Sequence, residues 1–214
     1  YPLAKVFRGW KADETGTINA PGWRLATGVV TVNLQTTHAS KIFSDVEAGS
    51  WYEDAVTFCN FAKFMTGYAD TDLFGPSNAL TRAEFVTVLH RIVDPEAASA
   101  DFTNVKNETG FADVEDGQFY TAAANWAVAN KIITGVAGVE FQPNTPVDRQ
   151  TMCVILSRYV KAENPSMDKL NAMPDADGVA EWATEGVAWA LNAGVISGVA
   201  VDGTRYIQAD TVLS

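Results

Sequence analysis

The sequence predicts a mainly α fold: three helix–loop–helix units around a shared pseudo-threefold axis, preceded by a short β segment. Three observations predict it. A block recurs three times, beginning at Phe43, Phe111 and Met173. In each block the step from an aromatic residue to a glycine is 16 residues: Trp51 to Gly67, Phe119 to Gly135, Trp182 to Gly198. The first block also carries a capping box, Thr81 with Glu84, directly ahead of an apolar stripe. One helical pair of this length cannot bury its apolar face alone, whereas stacked copies can.

The elements follow in order. Residues 1–40 precede the repeats, and the alternating, β-branched run TGVVTVNL at 27–34 predicts a strand. This segment reads as the tail of a preceding extracellular β domain, or as a strand pair added to the helical units. The first helix of the first unit is expected over 51–65, with Ala55, Val56, Phe58, Cys59 and Ala62 on its apolar face. Its counterparts use Phe119, Ala122, Ala123, Trp126 and Ala127, and then Trp182, Val187, Ala188, Leu191 and Val195. That pattern makes Trp51, Phe119 and Trp182 core anchors. Gly67 and Gly135 are expected to end the helices, because glycine tolerates positive φ. Second helices are expected after the N-cap residues Thr81 and Asp148. Polar linkers, DPEAASADFTNVKNETG and KAENPSMDKLNA, separate the units. The expected division is 1–40, then repeats at 41–94, 109–161 and 172–214.

Composition narrows the function. The chain has 214 residues, 47% of them hydrophobic, enough to bury a core. Its formal net charge of −11 argues against a nucleic-acid or anionic-membrane surface, which needs clustered Lys and Arg. No apolar run approaches the roughly 18 residues of a membrane-spanning helix. The sequence begins at Tyr1 without Met, so a leader can have been removed. Cys59 and Cys153 lie in apolar helical runs and read as small hydrophobes, although a secreted chain would permit a disulfide between them. Without CxxC or a Cys/His cluster, no structural zinc site is expected. The acidic loops YADTD and PDADG do not have EF-hand spacing. With only His38 and His90, and no nucleophile elbow or phosphate loop, no catalytic constellation, metal or cofactor is expected.

FSDV at 43–46 and FADV at 111–114 open the first two blocks. An apolar helix, a loop with an aromatic two residues before proline, and TRAE at 81–84 follow in the first. Together these resemble the S-layer homology (SLH) motif, in three tandem copies. The second copy has VDRQTM for LTRAEF, keeping Arg149 but with Asp148 and Thr151 for Thr and Glu. The third departs most. Aligned without gaps from Tyr206, it puts Ser214 where the arginine belongs, so the repeat is incomplete before its second helix. Residues after Ser214, the N-terminal segment or a second chain would then complete it. FRGWKAD near the N-terminus resembles, over a short stretch, the end of a Listeria–Bacteroides type repeat.

The SLH resemblance implies a helical prism whose grooves bind secondary cell-wall polymers, often carrying a pyruvate ketal, with the TRAE arginine taking part. Arg82 poses a local question, because a cation in the first turn opposes the helix dipole by a few tenths of a kcal/mol. An anionic ligand would answer it: free N–H groups at the helix start and a planar guanidinium would together grip a carboxylate. The alternative is a structural salt bridge from Arg82 to Asp45 or another acid, and both roles can coexist. Arg149 is the second candidate. A face of Trp51 or Phe119 can stack on a sugar, and Gly67 and Gly135 can admit a saccharide close to the backbone. Asp45, Asp113 and Asp175 read as structural turn caps. The resulting expectation is a non-catalytic, secreted cell-wall anchoring module that binds an anionic polysaccharide. The alternatives are an assembly module of a surface layer or adhesin, and an enzyme whose activity lies upstream.

Overall fold

The structure is a computed structural model describing residues 9–12, 18–22, 37–98, 100–136 and 138–214. It is mainly helical. Its helices are α1 (Glu53–Phe61), α2 (Arg82–Val93), α3 (Thr121–Ala129), α4 (Arg149–Tyr159), α5 (Asp168–Asn171) and α6 (Thr184–Ala193). Two antiparallel hairpins pair β1 (Gly9–Ala12) with β2 (Ile18–Gly22), and β3 (Val199–Val201) with β4 (Thr204–Tyr206). The strand expected at 27–34 lies outside the described residues. The chain divides into two compact units, 1–78 with 91–100, and 79–90 with 101–214.

The second helices begin as their capping residues dictate. Glu84 accepts the Thr81 N–H at 2.8 Å, and Thr81 Oγ1 accepts the Glu84 N–H at 3.3 Å. Asp148 caps α4 by accepting the Thr151 N–H at 2.8 Å. The first helices start differently. Their opening side chain holds the preceding turn: Glu53 accepts from the Gly49 N–H, and Thr121 Oγ1 from the Gln118 N–H. These helices are also shorter than expected. The left-handed residue after each is Lys63 (φ 63), Lys131 (φ 59) or Gly194 (φ 71), not the glycine of the 16-residue step.

That repeated glycine has another use. Gly67 and Gly135 adopt φ of 76 and 78, and a Cβ there would lie 2.6–2.7 Å from the ring of Phe43 or Phe111. Each glycine thus lets the phenylalanine that opens its own repeat pack against the loop backbone. Trp51, Phe119 and Trp182 are not core anchors. They are 92%, 44% and 59% exposed. Each stands two residues before its helix, outside the apolar stripe, and the buried place goes to the next residue, as with Tyr120 and Ala183.

In the first unit, Ala39, Phe43, Val46 and Val56 form a small core with Tyr52 and Phe74 packed on it. The second unit has two cores, with α4 serving both. Ile155 joins Val86 and Leu89 of α2, Ala124 and Ala127 of α3, and Phe141. Cys153 and Val154 join Val187, Ala188 and Leu191 of α6, Leu170 and Ile207. Cys59 and Cys153 are free, and burial raises both thiol pKa values, that of Cys153 to about 11. They are inert fillers at neutral pH.

Leu80, Val147 and Leu213 close a ring of backbone hydrogen bonds. Leu80 N–H donates to Leu213 O, Leu213 N–H to Val147 O, and Val147 N–H to Leu80 O, each at 2.8 Å. These residues hold corresponding places, six residues after Phe74, Phe141 and Ile207 respectively.

Glu53 makes the first unit sensitive to acid. The Ser40 hydroxyl and the Gly49 amide, with His38 nearby, hold its carboxyl below the ordinary value of 4.5. A depressed folded pKa contributes stability above the unfolded value, lost as pH falls through the folded one. Thermal melting of wild type and Glu53→Gln between about pH 7 and pH 3 should show wild type losing its advantage below pH 4.5. A constant difference across that range would contradict the assignment.

Candidate functional site

The start of each second helix is bound to the loop of the following repeat. The first four amides of a helix lack intrahelical acceptors. In α2 the Arg82 N–H donates to Thr145 O (2.9 Å) and the Ala83 N–H to Pro143 O (3.0 Å). In α4 the Arg149 N–H donates to Thr211 O and the Gln150 N–H to Ala209 O, both at 3.0 Å. The next amide in each helix goes to the N-cap side chain. The free N–H groups expected to await an anion are therefore occupied by carbonyls.

The arginine extends the same pattern. Arg82 Nε donates to Phe141 O and Arg149 Nε to Ile207 O, each at 2.8 Å. Arg82 is only 8% exposed, and its guanidinium carbon lies 5.6 Å from the centroid of the Phe141 ring. No carboxylate pairs with it among the described residues. Burial is the main cause that lowers its pKa. The magnitudes explain its position. A dipole penalty of a few tenths of a kcal/mol is small beside about 1.5–3 kcal/mol for a charged hydrogen bond. The loop carbonyl and ring thus justify Arg82 before any ligand is considered. Arg149 is half-buried in the equivalent arrangement.

The aspartates hold the other edge of the same loops. Asp45 accepts the Phe74 and Gly75 amides at 2.8 and 2.7 Å. Asp113 accepts those of Phe141 and Gln142 at 2.9 and 2.7 Å, and Asp175 those of Ile207 and Gln208 at 2.8 Å each. These are ties across about thirty residues of chain, not local turn caps. They also correct the register of the third repeat: Ile207, not Tyr206, stands where Phe74 and Phe141 stand. Ser214 then corresponds to the N-cap residues Thr81 and Asp148, one place before the arginine. IQADTVLS against FQPNTPVD, sharing Gln and Thr, was the available signal.

Among the described residues no group of three His, Cys, Asp or Glu side chains could hold a metal. No helix among them is long and apolar enough to cross a membrane. The exposed aromatics sit beside buried or half-buried ones, Trp51 edge-on to Tyr52 at 5.6 Å and Phe119 edge-on to Tyr120 at 5.2 Å.

With this repeated geometry in view, the chain belongs to the S-layer homology domain family, whose pattern matches residues 42–86, 110–153 and 172–204. It is 30% identical to an S-layer protein of Bacillus thuringiensis subsp. finitimus, over 80% of this chain and 19% of that protein. It is 28% identical to an amylopullulanase of Thermoanaerobacterium thermosulfurigenes, over 78% of this chain and 9% of the enzyme. It is 26% identical to a cellulosome-anchoring protein of Acetivibrio thermocellus, over 58% of this chain and 27% of that protein. The chain thus spans less than a third of the length of each of these relatives. It is a cell-surface, cell-wall-associated protein.

Arg82→Ala should lower the unfolding free energy by about 2–4 kcal/mol, since it removes a charged hydrogen bond and leaves a buried carbonyl without its partner. Arg82→Lys should recover only part, lacking the planar Nε donor. Arg149→Ala should cost less, because its site is wetter. Denaturant unfolding measures all three, and an Arg82→Ala protein as stable as wild type would refute the structural role.

Proposed function

We propose that the chain is a non-catalytic module that anchors a larger surface protein to the bacterial cell wall by binding an anionic secondary cell-wall polysaccharide. The exposure of Trp51 carries this reading. An indole left 92% exposed at a repeated position contributes nothing to the core, yet its face can stack on a sugar ring. Phe119 and Trp182 repeat the feature. Arg82 and Arg149, at the starts of α2 and α4, would supply the charge, and Gly67 and Gly135 are further candidate ligand-binding positions. The anchoring name of one relative and the S-layer names of others agree with this role. In this reading the backbone ring of Leu80, Val147 and Leu213 lies on a pseudo-threefold axis, and repeats 41–94, 109–161 and 172–214 contribute equivalent walls to a prism.

The structural use of Arg82 favours one rival, an assembly module of a surface layer in which glycan binding has been lost. Sedimentation with Bacillus thuringiensis sacculi decides between them. Wild type should be retained on native sacculi and released once their attached polymer is stripped. Trp51→Ala with Trp182→Ala should cut retention about tenfold or more, since several sites bind a polymer with avidity. Stability should change by no more than about 0.5 kcal/mol per substitution, as expected at exposed positions. Equal retention on stripped sacculi, or self-association without retention, would favour the rival.

A further inference from the structure

Two arginines that the SLH motif does not single out occupy matching places in the second unit. Arg158, near the end of α4, donates through Nη1 to Thr134 Oγ1 at 3.3 Å. Arg205, on β4, donates through Nη1 to Ser197 Oγ at 3.3 Å, and to the carbonyls of Ser197 and Gly198. Thr134 and Ser197 are equivalent residues, each directly before the repeated glycine. The helix-start arginines reach the opposing strand of the same two antiparallel pairs, segments 134–136 with 140–142 and β3 with β4: Arg82 on Phe141 O and Arg149 on Ile207 O. Each hairpin therefore carries two guanidinium groups at its open end, one on each strand. The second cation reaches its hydroxyl from different elements, a helix in one case and the hairpin's own strand in the other. The arrangement recurs although the sequence positions do not.

Among the described residues, none of the four arginines forms an ion pair, in a protein with 26 acidic and 15 basic residues. Arg158 and Arg205 are exposed. Burial lowers the pKa of Arg82 most, and the positive charge of Arg158 lowers it further, so these two cations act on one another. Asp113 and Asp148 oppose that effect, but Asp113 is engaged by two backbone amides and Asp148 by the α4 cap. Beside the second hairpin, Ser197 lines a hollow of about 360 Å³ with Met173, Leu191 and Ile196, and Lys169 adds another cation. Unpaired like charges flanking one hairpin gain most from an oxyanion placed between them.

We infer that Arg158 and Arg205 are ligand-binding residues, each paired with the helix-start arginine on its hairpin to form two equivalent sites for an oxyanion of a cell-wall glycopolymer. This rests on the anchoring reading and adds to it. Recognition falls to the exposed arginine, while the buried one shapes the loop and supplies field. The oxyanion is a carboxylate or a phosphate, both of which match a guanidinium fork.

The test is calorimetric titration with polymer released from Bacillus thuringiensis sacculi, used native, carboxyl-reduced and dephosphorylated. Arg158→Gln and Arg205→Gln should each weaken binding of native polymer about tenfold, and the double variant about a hundredfold, with melting temperatures unchanged. Arg158→Lys should recover part of the loss. Loss of binding on carboxyl reduction identifies a carboxylate, and loss on dephosphorylation a phosphate; either supports the inference. Binding that survives both treatments, or glutamine variants that bind like wild type, overturns it and leaves the anchoring reading intact. Failure of wild type to bind native polymer overturns both.

Discussion

The structure depends on one interaction: the opening amides of a second helix donate to the carbonyls of the next repeat's loop. Helix starts ordinarily satisfy these amides with water or local caps. Here residues 143 and 145 serve α2, and residues 209 and 211 serve α4, at 2.9–3.0 Å. The arginine adds a donor to the same loop edge, while the aspartate of the loop's own repeat holds the other edge. A loop pinned on both edges becomes a rigid connector. Repeats that are individually too small to fold are thereby joined through backbone groups, which tolerate wide changes in side chain.

That tolerance explains how the sequence diverges without losing the pattern. Ile207 replaces an aromatic, Ala209 replaces a proline, and Gln142 and Gln208 take the left-handed place of Gly75, with φ of 56 and 52. What persists is the acid that binds two loop amides and an N-cap type residue at Thr81, Asp148 and Ser214. In the proposed anchoring role, this division of labour also separates stability from recognition. The buried guanidinium of Arg82 belongs to the connector, whereas exposed groups such as Trp51 and Arg158 remain available to a polymer.

Much of this was legible in the sequence. The capping residues Thr81 and Asp148 located both long helices, and the 16-residue step located the repeats. Other features were not legible. Apolar periodicity drew Trp51, Phe119 and Trp182 into the helices, because the pattern cannot distinguish a helix's first buried turn from a rim residue two places earlier. Helix ends were misplaced because Lys63 and Lys131 carry the left-handed turn without glycine. The loop carbonyls left no trace, since a backbone acceptor has no residue type. The structural partner of Arg82 was missed for that reason: it is Phe141 O, invisible to any argument that pairs charges with charges.

Native-state hydrogen exchange tests the central interaction most directly. If the loop carbonyls cap the helices, the amides of Arg82, Ala83, Arg149 and Gln150 should exchange within about tenfold of the amides in the middle of the same helices. Exchange at the rate of a water-exposed helix start would contradict the account.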